Sequence, residues 1–174
     1  SLSIYANSGI HYVAPGGNCE TVTPCYASIQ VAVDAALPGD EIRVAGGTYT
    51  GITVRRGITQ VVYLSKTLTL QGGYTTTEWH VPNTAVNLTT LDAAQNGSVI
   101  YITGTITPVL RGMRLTGGGG ALCYGTHLCG GGLNIVGGSA PTIRECTIDS
   151  NTTEYGAGVY IHAADPYIAD TTIL

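Results

Sequence analysis

Apolar and polar residues alternate in short runs that return along the second half of the chain. Ile100-Tyr101-Ile102 leads to Pro108 and then to Val109-Leu110-Arg111-Gly112-Met113-Arg114-Leu115. Leu133-Asn134-Ile135 leads to Pro141 and Thr142-Ile143-Arg144-Glu145-Cys146-Thr147-Ile148, and Val159-Tyr160-Ile161 leads to Pro166 and Tyr167-Ile168-Ala169-Asp170-Thr171-Thr172-Ile173. A period of two marks a strand with one buried face. The last two copies lie 25 residues apart at the proline and 26 at the first strand. Strand-sized alternation inside such a repeat predicts a stacked solenoid, because one coil cannot bury its apolar face without neighbours above and below.

The first 39 residues read differently. Ile10-His11-Tyr12-Val13 is a strand that stops at Ala14-Pro15-Gly16-Gly17 and a cysteine-bracketed loop. From Ser28 the apolar positions change to Ile29, Val31, Val33, Ala35, Ala36 and Leu37 before Pro38-Gly39-Asp40, which predicts one short amphipathic helix ended by its Pro-Gly signal. A helix there covers the first coil, whose bare strand edges would otherwise template association. Strands resume at Glu41–Val44, Val61–Leu64 and Thr67–Leu70. The chain therefore reads as one structural domain, a cap over 1–39 and coils over 40–174, with insertions near 73–87 and 117–129 that leave the coil as loops.

Aligning the copies places Leu68, Met113, Cys146 and Thr171 in one inward column and Leu70, Leu115, Ile148 and Ile173 in the next. Neighbouring coils are expected about 4.8 Å apart, so such ladders make a continuous core. The outward column Thr69, Arg114, Thr147, Thr172 is interrupted by one long cation, which argues against a flat hydroxyl plane of the kind that binds ice.

Composition narrows the function classes. Only 10% of residues are charged, Gly reaches 25, Phe is absent and Lys66 is the sole lysine. Such a chain favours turns and strands over helices. A net charge of -4 with so few cations leaves no basic surface for nucleic acid or for an anionic membrane, and no apolar run is long enough to span a bilayer. The chain begins at Ser1 without Met and reads as a mature or trimmed product. Cys19 with Cys25 and Cys123 with Cys129 bracket Gly- or Pro-marked loops. In an oxidising compartment both pairs are disulfides, whereas a zinc site would want two-residue spacings and a histidine partner. Cys146 falls on a core column as a buried thiol. The sequons at Asn87, Asn96 and Asn151 arise easily in a threonine-rich chain.

Tyr12-Val13-Ala14-Pro15-Gly16-Gly17-Asn18-Cys19, Pro24-Cys25-Tyr26-Ala27-Ser28-Ile29-Gln30, Pro38-Gly39-Asp40-Glu41-Ile42-Arg43-Val44 and Gly47-Thr48-Tyr49 resemble the capping start of the right-handed parallel β-helix repeat proteins with the pectin-lyase-like fold, in particular secreted bacterial surface proteins. Leu68-Thr69-Leu70-Gln71-Gly72-Gly73-Tyr74 and Gly131-Gly132-Leu133-Asn134-Ile135 resemble its coils. The resemblance covers nearly the whole chain. It implies an all-β fold, a right-handed parallel β-helix (β-solenoid) with a short N-terminal capping helix, and a secreted, cell-surface location. The fold itself hosts lyases, hydrolases, adhesins and passive stalks.

Three sets of residues carry candidate chemistry. Lyases of this fold use carboxylates that hold calcium and an arginine base; here Glu145 and Asp170 share an outward column near Arg114 and Arg144, an arrangement that reads in preference as a surface ion-pair ladder between coils. Tyr63, Tyr101 and Tyr160, with Asn134 in the coil between the last two, form an outward column able to stack on sugars and bond their hydroxyls, although tyrosine is also simply favoured in strands. The four histidines are scattered, and neither a metal nor a cofactor is predicted. Finally, Thr171-Thr172-Ile173-Leu174 stops on core-type residues. An open coil there predicts completion by missing sequence or by the N-terminal strands of a second copy, around Leu2 to Tyr5 and Ile10 to Val13, with Ile10, Val13, Ile173 and Leu174 as assembly residues. The expected function is an extracellular structural or adhesive element, self-assembling or binding cell-surface polysaccharide, with a carbohydrate-binding or lyase-like module as the alternative.

Overall fold

The computed structural model describes residues 9–174. Two parallel strands, β1 (Ile10–Val13) and the short β2 (Cys25–Tyr26), open the cap, and the Cys19–Cys25 disulfide closes the loop between them. Helix α1 (Ile29–Ala35) follows, with Ile29, Ala32 and Val33 buried and Val31, Asp34 and Ala35 outward. Its C-terminal carbonyls would lack partners. Lys66, the sole lysine, supplies them: its Nζ donates to the carbonyl oxygens of Val33, Asp34 and Ala36 at 2.8, 2.9 and 2.7 Å.

Each coil then contributes one strand to each of three sheets. The first comprises β3 (Glu41–Ala45), β4 (Gly47–Tyr49) and a hairpin of β5 (Thr53–Arg55) and β6 (Ile58–Leu64). The second comprises β7 (Thr69–Tyr74), β8 (Thr89–Asp92) and β9 (Ser98–Thr103). In the third, β10 (Val109–Arg111) and β11 (Met113–Thr116) precede a small antiparallel hairpin, β12 (Ala121–Leu122) with β13 (Leu128–Cys129), before β14 (Leu133–Val136). The fourth holds β15 (Thr142–Arg144), β16 (Thr147–Asp149) and β17 (Val159–His162), and a partial fifth holds β18 (Tyr167–Ala169) and β19 (Thr172–Ile173).

The first sheet runs β18-β15-β10-β7-β3-β1-β2, the second β19-β16-β11-β8-β4 and the third β17-β14-β9-β6-β5. All pairings along them are parallel except β5 with β6. This is a right-handed β-solenoid with an N-terminal capping helix. Like stacks on like along its axis: Ile42, Leu70, Leu110 and Ile143 are fully buried in one inward column, and Leu91, Leu115 and Ile148 in another. Fully burying one such side chain contributes about 1.5–3 kcal/mol, so the ladders supply the driving force that a single coil lacks. Cys146 joins this core as a free thiol, and burial pushes its pKa up to about 11. The second cysteine pair, Cys123 with Cys129, is a disulfide like the first.

The register corrects two columns read from the sequence. Leu70 stacks on Leu110, not Leu115, and Leu115 stacks on Leu91. The Leu68-Thr69-Leu70 motif belongs to the first sheet, because the chain leaves the coil between β7 and β8 and the same apolar pattern occurs on either side of that excursion. The hydroxyl column accordingly reads Thr48, Thr90, Arg114, Thr147 and Thr172. The excursion itself is anchored rather than free. Trp79 is 3% exposed, sits edge-on to Tyr12 at 5.1 Å and nearly parallel to Tyr74 at 5.9 Å, and packs with Ala14, Cys19 and Ala45. It ties the cap's disulfide loop to the outer face of the first sheet.

The N-terminal strand is also placed differently from the expectation that Ile10 and Val13 offer an open edge. β1 lies between β3 and β2, and Val13, paired with Val44 on one side and Tyr26 on the other, is fully buried. Residues Leu2 to Tyr5 lie outside the described residues. At the far end Ile173 and Leu174 are exposed, as is Ile161, and no described strand pairs with the outer edge of β17, β18 or β19. Among the described residues no helix is long and apolar enough to cross a membrane.

Candidate functional site

The third sheet carries the tyrosine column in the register that alternation implies. Tyr63 pairs with Tyr101, Tyr101 with Asn134, and Asn134 with Tyr160. Tyr63 and Tyr101, one strand spacing apart, stack at 5.6 Å with 11° between ring planes. Burial, and then the neighbouring Tyr63 phenol, raise the Tyr101 pKa. Tyr101 and Tyr160 are two spacings apart, about 9.6 Å, so the ladder has one level without a ring.

That level belongs to Asn134, whose side chain is not presented outward as strand alternation implies. It is 1% exposed, and its Nδ2 donates to the Cys129 carbonyl at 3.0 Å. The reason is the β12–β13 hairpin, which folds back beside the sheet so that the residue after β13 reaches over Asn134. The amide oxygen Oδ1 is left buried with no hydrogen-bond partner, a costly state for a polar atom.

The hairpin makes one wall of a groove of about 220 Å³ over this gap, lined by Tyr101, Leu122, Tyr124, Asn134, Tyr160 and His162 with the disulfide at Cys123. The wall is held in place from two sides. The Cys123–Cys129 disulfide closes the hairpin tip. Glu154 Oε2 accepts from the Leu128 N–H at 3.0 Å and lies 3.0 Å from His127 Nδ1. These contacts hold the Glu154 carboxyl below its ordinary value, the Leu128 bond first. Tyr124 stands edge-on to His162 at 5.6 Å, and His162 is nearly parallel to Tyr160 at 6.4 Å. A side-chain hydrogen bond with Tyr124, foremost, favours the protonated Tyr160 phenol and raises its pKa. The groove thus offers flat aromatic surface with phenol and imidazole groups at its rim, the combination of apolar body and polar tip that suits an amphipathic ring.

The carboxylate candidates have another setting. Glu145 and Asp170 occupy equivalent left-handed turn positions, φ 52° and 51°, between the first and second sheets. Glu145 pairs with Arg111 at 2.6 Å and Asp170 with Arg144 at 3.7 Å, which makes a ladder of exposed ion pairs between coils. The Arg111 hydrogen bond, foremost, lowers the Glu145 pKa. Sequence reasoning misses Arg111, although its place three residues after Pro108 matches that of Arg144 after Pro141. Arg114 is separated from this group: on the second sheet it makes a two-point pair with Asp149, with Nε and Nη2 donating at 2.9–3.1 Å. Among the described residues no three His, Cys, Asp or Glu side chains gather as a metal site would require.

Two of the three sequons have their amides engaged. Asn151 Oδ1 accepts from the Gly118 N–H at 2.7 Å while Nδ2 donates to the Leu115 carbonyl, and Asn87 Nδ2 donates to the Gly73 carbonyl. Asn96 is exposed. Comparison with protein-family models, with curated proteins and with solved structures finds no match.

Proposed function

We propose that this chain is an adhesive element secreted to a bacterial cell surface, and that it binds carbohydrate in the gap of its tyrosine ladder. The carrying observation is the groove between Tyr101 and Tyr160, over the level at Asn134 that carries no ring, walled by the disulfide-closed hairpin. One sugar ring inserted there meets an aromatic group on either side, and its hydroxyls meet Tyr124, Tyr160 and His162. Two disulfides support an oxidising, extracellular setting, and the resemblance of the cap and coil motifs supports the bacterial surface. Binding is preferred to catalysis because Glu145 and Asp170 are each matched to an arginine on an exposed turn. Affinity electrophoresis through a panel of polysaccharides tests the proposal. The wild-type chain is expected to be retarded by at least one of them, and the double variant Tyr101→Ala, Tyr160→Ala to lose about tenfold or more in affinity, since each aromatic contact is worth about 1 kcal/mol. Equal retardation of the two proteins would sink it.

A second element of the proposal is self-association through the outer edge of the last coil. Ile161, Ile173 and Leu174 are exposed there beside unpaired strand edges, a surface on which strands of a second copy would add. Sedimentation velocity checks this. The wild type is expected to associate with rising concentration and an Ile173→Lys, Leu174→Lys variant to remain monomeric; a monomeric wild type refutes it.

A further inference from the structure

A second groove, of about 510 Å³, lies at the first coil, two levels below the tyrosine gap, between α1 and the β5–β6 hairpin. Val33, Asp34, Arg55, Arg56, Tyr63, Ser65 and Lys66 line it, so three of the chain's seven cations face a single space. This concentration stands out on a protein of net charge -4. The remaining arginines are matched to carboxylates: Arg43 to Glu41, Arg111 to Glu145, Arg114 to Asp149 and Arg144 to Asp170. Within the groove Arg55 pairs with Asp34, and all three Lys66 donors are taken by α1 carbonyls. Among the described residues Arg56 alone of the arginines has no carboxylate, and residues 1–8 contain none that could serve it.

The backbone makes the position of Arg56 still less ordinary. Arg56 and Gly57 are the two-residue turn between the paired residues Arg55 and Ile58, with φ of 52° and 80°. That turn favours Asn, Asp or Gly at its first position, and an arginine there has no conformational advantage. Arg55 adds an independent sign: its Nε is buried and has no hydrogen-bond partner. A guanidinium free to bond and a second with a vacant donor therefore line the same groove as Tyr63, whose ring stacks on Tyr101 at the edge of the carbohydrate gap. From Tyr63 to Tyr160 is three strand spacings, about 14 Å, within one extended oligosaccharide.

We infer that this groove is an oxyanion subsite: Arg56, assisted by Arg55, takes a carboxylate or sulfate group carried on a sugar ring that rests against Tyr63. The inference rests on the carbohydrate reading of the tyrosine gap and gives it a ligand class, a charged glycan. Asp34 repels an anion but is already neutralised by Arg55 and bonded by Gln30 at 3.0 Å, leaving the guanidinium of Arg56 as the uncompensated charge. Guanidinium groups match both oxyanions in two-point geometry.

The test is a nuclear magnetic resonance titration of the labelled full chain with galacturonate, glucose 6-sulfate, inorganic sulfate and neutral galactose. Amides of Arg55, Arg56 and Gly57 report the groove; those of Tyr124 and Tyr160 report the gap. A charged sugar is expected to shift the groove amides more tightly than inorganic sulfate, weakening with added salt. The variant Arg56→Asn, which suits the turn and keeps the hairpin folded, is expected to bind about tenfold more weakly, the loss of one charge-assisted contact. Response to galacturonate alone identifies a carboxylate, and to glucose 6-sulfate alone a sulfate ester. The inference is overturned if neither charged sugar moves the groove amides, if inorganic sulfate binds equally well, or if Arg56→Asn binds as the wild type does. Sugars shifting the gap amides while neither galacturonate nor glucose 6-sulfate moves the groove would remove the oxyanion subsite and keep the carbohydrate reading; charged sugars shifting the groove while the gap stays silent with every sugar would remove the gap and keep the anion.

Discussion

Gly118→Ala is expected to cost the fold about 3 kcal/mol or more, although Gly118 has no left-handed backbone. The reason is close approach. A Cβ there would stand 1.9 Å from the Gly131 carbonyl oxygen and 2.2 Å from its carbon, with Asn151 Oδ1 at 2.9 Å. The obstructing atoms are backbone on the other side of the β12–β13 hairpin in the same coil, which cannot rotate away, and both segments are tied to neighbouring coils: the Gly131 carbonyl accepts from the Val99 N–H and the Gly118 carbonyl from the Thr152 N–H, both at 2.8 Å. Relief requires the two ends of the hairpin to part, which also pulls Gly118 from the Asn151 clamp that holds its N–H and the Leu115 carbonyl. Overpacking alone costs about 1–3 kcal/mol, and lost buried hydrogen bonds add to it. For a chain of this length that is a fall of about 10 °C in melting temperature, measurable by circular dichroism. Gly51→Ala is the control, since its Cβ would meet nothing within 4 Å. If the two variants melt together, the contact at the hairpin base is softer than its geometry implies.

The glycine runs Gly117 to Gly120 and Gly130 to Gly132 are visible in the sequence, yet nothing local separates a glycine used for close stacking from one used for a turn. The same limit governs the rest. Strands, helix and tyrosine register are legible because they depend on period-two alternation and on a constant coil spacing, both properties of neighbouring residues. Leu68 and Leu70 fall into the wrong column because an inward pair of the first sheet has the same local pattern as an inward pair of the second sheet. Only the path of the chain between Tyr74 and Thr89 distinguishes them. Asn134 reads as outward because strand parity says so; parity is silent about a hairpin that folds over the strand. Arg56 carries a local signal, a cation in a two-residue turn before glycine, but its isolation from carboxylates is visible only once the other arginines have found theirs. Where local preference and final position disagree, as at Arg56, function is the usual cause.

The same contrast marks the cap, where Asp40→Ala is expected to destabilise the cap by about 3 kcal/mol. The sequence reads Pro38-Gly39-Asp40 as the end of a helix. In the fold Asp40 is a knot: Oδ1 accepts from the Gly9 N–H at 2.7 Å, Oδ2 from the Leu37 N–H at 2.8 Å, and Oδ2 also lies 3.0 Å from His11 Nε2. The far side of the His11 ring lies 3.3 Å from the Tyr26 hydroxyl, so one carboxylate links β1, β2 and the turn after α1. Removing it leaves three polar groups without their partner in a site where Asp40 and His11 are both buried, and breaking such a network costs about 3–5 kcal/mol at the upper end. Burial alone would raise the Asp40 pKa, but the Leu37 and Gly9 N–H bonds and then His11 outweigh it and leave the carboxyl below its ordinary 3.8. A carboxyl more acidic in the folded than in the unfolded chain contributes its full stabilisation above the unfolded value and loses it as pH falls through the folded one. The cap is therefore expected to weaken below about pH 4 in the wild type, and Asp40→Ala to lack that part of the acid response while being weaker at neutral pH. Trp79, the only tryptophan, packs against Tyr12 beside β1 and reports the event by fluorescence. If Asp40→Ala and the wild type show the same tryptophan transition in denaturant at pH 7, the knot is not what holds the cap, and the burden passes to the disulfide and to Lys66 on the helix end.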